Sequence, residues 1–202
     1  MQGRIIAVVG APRTGKSYLV KKLAEHYRGS AFYEGEESDI PERIKEDIAQ
    51  NIRPLERTLW FRNRLVDNYQ KALDVRSAGG VAVLDSVYIA VDLYVSFITQ
   101  DAFEQQILRD LAQSDIRAYG MPDKIIHLTS TEEKIKEFIQ KGGRTFDAGE
   151  SYFDEHVLPV EKAWREYLEN HVDKNLVVEI NRADLDFEKQ EDFESLLSQI
   201  AI

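Results

Sequence analysis

Short apolar runs recur along this chain, and between them apolar residues return every three or four positions. The runs fall at 4–9, 31–34, 81–85, 124–128 and 176–180, each with the length of a buried strand. The stretches between them follow a helical period. After Ser17, apolar residues stand at 19, 20, 23, 24 and 27, which predicts a helix from about 16 to 28. A helix is expected at 41–51, and a long one at 55–77, opened by Pro54 and ended by Ala78-Gly79-Gly80. Residues 87–118 read as helical, divided near 99–102, and a capping pattern at Thr129–Glu133 opens a helix at 131–141. Further helices are expected at 149–171 and 188–200. Strands alternating with helices predict an α/β fold in three layers, a five-stranded parallel sheet with helices on both faces. The 202 residues suit a single domain, 1–202, undivided by repeats or low-complexity tracts.

The junction of the first strand and first helix carries the most specific signal. Gly10-Ala11-Pro12-Arg13-Thr14-Gly15-Lys16-Ser17 fits G-x-x-x-x-G-K-[ST] at every fixed position. Such a loop wraps backbone N–H groups around phosphates, its lysine reaches the β/γ oxygens, and its hydroxyl ligates Mg²⁺. The following helix turns its positive end toward the anion. The plainer alternative is a Gly-Pro turn between a core strand and a core helix. Strand, glycine loop and helix in this order point to a nucleoside triphosphate with Mg²⁺, ATP or GTP, with ATP the expected donor.

Composition narrows the partners. The net charge of −10 argues against polymeric nucleic acid, whose phosphates need clustered Lys and Arg. Without cysteine there can be no disulfide, thiolate metal site or cysteine nucleophile. No apolar run reaches the ~18 residues of a membrane span, and no signal peptide is visible. A cytoplasmic protein with a small-molecule substrate is expected, and a homodimer is left open. The histidines at 26, 127, 156 and 171 have no metal-ligand spacing, and Tyr152, Phe153, Trp164 and Tyr167 read as core.

In such a sheet ligands bind beyond the carboxyl ends of the strands. Asp85 closes the third strand and reads as a catalytic carboxylate at Mg²⁺ or at the substrate, or as a cap for the next helix. Glu34 follows the second strand, where a carboxylate can deprotonate an attacking hydroxyl, or can belong to a solvated acidic loop with Glu36 and Glu37. Arg57, Trp60, Phe61 and Arg64 share one face of the long helix, as a site for a planar polar or anionic ligand or as a core stripe with flanking arginines. Gly142-Gly143-Arg144 reads as a lid at about 141–149 that brings Arg144 to a transferring phosphoryl group, or as a glycine cap with a surface arginine.

Together these segments resemble the deoxynucleoside kinase family, relatives of thymidylate kinase with the P-loop kinase fold. The resemblance covers nearly the whole chain. It rests on the loop at 10–17, Phe32-Tyr33-Glu34, the helix at 55–77, Ser86-Val87-Tyr88, Pro122-Asp123, Gly143-Arg144, the helix ending in Trp164–Leu168, and Leu185-Asp186-Phe187. It implies transfer of the ATP γ-phosphoryl group to the 5′-hydroxyl of a deoxynucleoside. Lys16 and Ser17 would hold phosphate and Mg²⁺, Glu34 would be the general base, Arg144 the lid arginine, and Tyr88 would join the acceptor set.

Two positions depart from the family. Its Glu-Arg-Ser or Asp-Arg-Ser after the third strand is Leu84-Asp85-Ser86 here, without the arginine. Its base-binding glutamine corresponds to Arg57 or Thr58, which cannot present the same donor and acceptor. A nucleoside monophosphate kinase and a non-catalytic ATP-binding sensor are therefore the alternatives.

Overall fold

All five apolar runs become parallel strands: β1 (Arg4–Val9), β2 (Ser30–Phe32), β3 (Val81–Asp85), β4 (Lys124–Thr129) and β5 (Val177–Asn181). They stand in the order β2-β3-β1-β4-β5. The helices are α1 (Lys16–Tyr27), α2 (Glu42–Ala49), α3 (Pro54–Ser77), α4 (Ala90–Ile98), α5 (Ala102–Tyr119), α6 (Glu132–Gly142), α7 (Leu158–His171) and α8 (Gln190–Ile200). This computed structural model describes residues 3–35, 37–142, 154 and 157–200, without the side chains of Glu37 and residues 139–142.

The strands lack polar alternation because both faces of the sheet are covered. Ile5, Ala7 and Val9 enter one core with residues of α3 and α7, including Tyr69 and Trp164. Ile6 and Val8 enter the other with Leu19, Val20 and Leu23 of α1 and Phe193 and Leu196 of α8. β1 pairs with both β3 and β4. The chain therefore leaves β1 toward one edge and later crosses to the other, and the crevice at such a reversal, past the strand ends, is where ligands sit.

Some boundaries moved. β2, an edge strand paired only with β3, stops at Phe32, so Tyr33–Gly35 form a turn instead of its last rungs. The helical stretch 87–118 is divided as expected: Thr99 is extended, and Asp101 caps α5 by accepting from the N–H groups of Phe103 and Glu104. Of the expected helix 149–171, α7 is the described part, and Trp164 and Tyr167 are buried core residues. Tyr152 and Phe153 lie outside the described residues.

Candidate functional site

The phosphate loop leaves β1 at Gly10, whose φ of +141° and close passage by β4 exclude a side chain. A Cβ there would lie 2.3 Å from the Leu128 carbonyl oxygen. Thr14 Oγ1 donates to the Ala11 carbonyl at 3.0 Å and Lys16 Nζ donates to the same oxygen at 2.9 Å, which closes the loop. Gly15, at φ +90°, stands at the N-cap of α1 and has no side chain to cap it. The first-turn N–H groups of α1 are thus presented without a side-chain acceptor, which favours an anion at that end.

Asp85 and Ser17 meet across this loop. The Ser17 hydroxyl donates to Asp85 Oδ2 at 2.5 Å. Asp85 Oδ1 is buried and has no hydrogen-bond partner among the described residues. A buried, half-satisfied carboxylate beside a hydroxyl and a phosphate loop fits a Mg²⁺ ion, which is ordinarily held by one or two carboxylates together with phosphates and water. Groups of three or more potential metal-ligating side chains are absent among the described residues. The site is thus one that substrate phosphates would complete.

Glu34 lies in the turn after β2, and α3 laces that turn in place. Arg64 Nε donates to the Glu34 carbonyl at 3.1 Å, and Asn68 Nδ2 donates to the Tyr33 carbonyl at 2.7 Å. Arg64 also reaches Asp39 Oδ2 at 3.2 Å and lies over the Trp60 ring at 5.2 Å. Gly35, at φ +122°, leaves room for the guanidinium, since a Cβ there would fall 2.6 Å from Arg64 Nη2. Burial, then the charges of Asp85 and Glu25, raise the Tyr33 phenol above its ordinary pKa, so this turn stands in the field of Asp85. Asn68 escaped the sequence reading, although it follows Arg64 by four residues on the same helix face.

Two candidate acceptor residues are elsewhere engaged. Arg57 turns back to α2, donating to the Asp47 carbonyl at 3.1 Å and to Asn51 Oδ1 at 3.2 Å. Tyr88 is packed into the core. It is fully buried, edge-on to Tyr69 at 4.9 Å, with its hydroxyl donating to the Gly120 carbonyl. Burial raises its pKa strongly. Trp60 and Phe61 pack edge to face at 4.9 Å and remain half-buried beside Arg64. Arg144 and the rest of the expected lid beyond residue 142 lie outside the described residues.

A cleft of about 360 Å³ opens between α6 and the segment after β5, lined in part by Phe138, Arg182, Leu185, Asp186 and Lys189. Arg182, just past β5, is buried against the Phe187 ring at 4.3 Å, and its Nε lies 3.7 Å from where a Cβ of Gly15 would be. Its Nε has no hydrogen-bond partner among the described residues, and burial lowers its pKa. The sequence reading passed over Arg182, despite its place immediately after a strand end. A second cluster joins the buried His127 of β4, the half-buried Glu161 of α7 and the exposed Glu179 of β5. Burial lowers His127 to about 4 and raises Glu161 to about 7.

The fold is shared with several solved structures. The deoxyadenosine kinase of M. mycoides with bound dATP is 16% identical, with a TM-score of 0.69 over 98% of this chain and 100% of that one. The thymidylate kinase of Candida albicans is 14% identical, with a TM-score of 0.62 over 98% of this chain and 92% of that one. The NadR protein in complex with NR is 18% identical, with a TM-score of 0.61 over 100% of this chain and 52% of that one. At these identities the likeness is one of fold, the P-loop kinase fold expected from the sequence. No curated protein sequence matches the chain. No helix among the described residues is long and apolar enough to cross a membrane. The AAA domain family matches residues 5–152, from the first strand through the phosphate loop and well past β4, and the chain belongs to that family.

Proposed function

We propose that this protein transfers the γ-phosphoryl group of ATP to the 5′-hydroxyl of a nucleoside, a deoxynucleoside in the first instance. The observation that carries the reading is the 2.5 Å contact of Ser17 with Asp85 across the phosphate loop. The residues that could hold Mg²⁺ come together where the loop would present the phosphates. Bound there, Mg²⁺ would neutralise charge on the phosphate oxygens. Lys16, released from the Ala11 carbonyl, draws the β/γ oxygens to the loop, and the open end of α1 binds them through its N–H groups. The cleft beside Arg182 receives the base of the donor.

Glu34 takes the acceptor proton. As the 5′-oxygen bonds to the γ-phosphorus, its proton passes to the Glu34 carboxylate, the bond to the bridging oxygen breaks, and ADP leaves. Arg144 supplies positive charge to the transferring group from the lid, which closes to exclude water. A nucleoside is favoured over a monophosphate by the state of the arginines on α3. Arg57 is bonded to Asp47 and Asn51, Arg62 is paired with the buried Asp115, and Arg64 with Asp39. A second phosphate would have to break one of these pairs.

ADP release across a panel of nucleosides and monophosphates tests the reading, with NR, the ligand named with NadR, included. Turnover of a deoxynucleoside is expected. Turnover confined to monophosphates would replace the acceptor, and tight ATP binding without ADP release on any acceptor would favour a sensor.

A further inference from the structure

The cluster of His127, Glu161 and Glu179, half-buried and open to solvent at Glu179, has no part in the transfer just described. α7 seats one turn on the loop: Val160 packs against Ala11, Ile135 and Val157. The next residue, Glu161, is aimed into the sheet. Its Oε1 lies 3.7 Å from His127 Nε2 and 3.7 Å from Arg165 Nη2. His127 and Glu179 are register partners on β4 and β5, with His127 Nδ1 3.5 Å from Glu179 Oε2. Arg165 Nη1 lies 3.3 Å from that same oxygen. His127 Nε2 is buried without a hydrogen-bond partner among the described residues, and the Glu161 carboxyl faces the Ala11 N–H. The groups facing Glu161 are therefore His127 from β4, Glu179 from β5, Arg165 on its own helix, and Ala11 N–H with the Lys16 ammonium from the loop.

We propose that Glu161 is a positioning residue of the phosphate loop, which binds a proton as the triphosphate arrives and so keeps a like charge from standing behind Ala11 and Lys16. The inference rests on the nucleotide-binding reading and adds to it a proton-linked contact from α7. Neutral His127, with its hydrogen on Nδ1 toward Glu179, would offer Nε2 to that proton; this tautomer is inferred from the neighbours.

The sign follows from charge. Burial already holds the Glu161 carboxyl at about 7, against the opposing pull of Arg165, Ala11 N–H and Lys16. Bound phosphates add negative charge nearby, which raises the carboxyl further. Nucleotide then binds best with Glu161 protonated, and weakens as pH rises through 7 toward the higher value of the complex. If phosphate raises the carboxyl by about one unit, affinity falls about tenfold from the low-pH to the high-pH limit.

Titration calorimetry with MgATP and no acceptor, at pH 7.5 in buffers of differing ionisation enthalpy, tests this together with a pH profile of KM for MgATP. The wild type should take up a fraction of a proton and show KM rising from pH 6 to 9. Glu161→Gln should take up less and keep its affinity nearly constant over that range. A Glu161→Gln protein with wild-type proton uptake and pH profile would overturn the proposal while leaving ATP binding in place. A wild type that binds no MgATP would overturn the phosphate-loop reading and this inference with it. Should the amide variant fold poorly, wild-type binding without proton uptake decides the matter alone.

Discussion

The donor side and the acceptor side of this cleft are built in different ways. The donor side is mostly backbone: a loop between β1 and α1, two glycines at positive φ, and the open end of a helix, with Ser17 and Asp85 in contact. The acceptor side is mostly long side chains from α3 that hold other segments: Arg57 on α2, Arg62 on α5, Arg64 and Asn68 on the turn after β2. A backbone site is specified by a local run of residues. A side-chain site depends on which distant groups fold against it, and its charges are spent before any ligand arrives.

Four substitutions would break or sharpen that contrast. The largest effect is expected from Lys16→Ala, which should lower kcat/KM by about 10³ or more, since the lysine of this motif is the one that reaches the β/γ oxygens. Circular dichroism should find the fold intact, and full turnover in steady-state assays would remove the donor assignment. Glu34→Gln comes next, with kcat down about 10²-fold and KM for ATP little changed. An unaltered kcat would place the general base elsewhere.

Gly35→Ala should cost about tenfold in acceptor KM, because the strain of a side chain at φ +122° and its collision with Arg64 displace the turn that carries Glu34. If KM for ATP rises instead, the two sides are not separable. The smallest effect is Tyr88→Phe, which removes the hydroxyl donated to Gly120 and should cost about 1 kcal/mol in denaturant unfolding. Acceptor KM should not move, and a change there would return Tyr88 to the substrate.

This contrast also explains what could be read from sequence. The alternation of apolar runs and helical stretches predicted the five strands and the parallel sheet, because burial on both faces leaves a strand no polar rungs. The loop at 10–17 was legible because its function is written in adjacent residues. The engagement of Arg57 was not legible because its partners, Asp47 and Asn51, reach it only through the packing of α2 on α3. The burial of Tyr88 was not legible, because Tyr69 and Tyr119 meet it edge-on only in the folded core. Arg182 carried a visible signal, a basic residue directly after β5, but its burial against Phe187 is a property of the folded chain. The Glu161 cluster had no signal at all, since α7, β4 and β5 bring its members together from 127 to 179.

The bare N-terminus of α1 has a consequence for the protein at rest. A Ser, Thr, Asp or Asn at Gly15 would add about a few tenths of a kcal/mol to an ordinary helix, and here that stabilisation is forgone. What the chain omits, an anion can supply, so a bound triphosphate would finish the helix as well as occupy the cleft. The empty protein is then an incomplete fold, and at a hundredfold excess over its dissociation constant the ligand would deepen the native state by about 2.7 kcal/mol. Nucleotide level would thereby set how long the chain survives unfolding, as well as how fast it works.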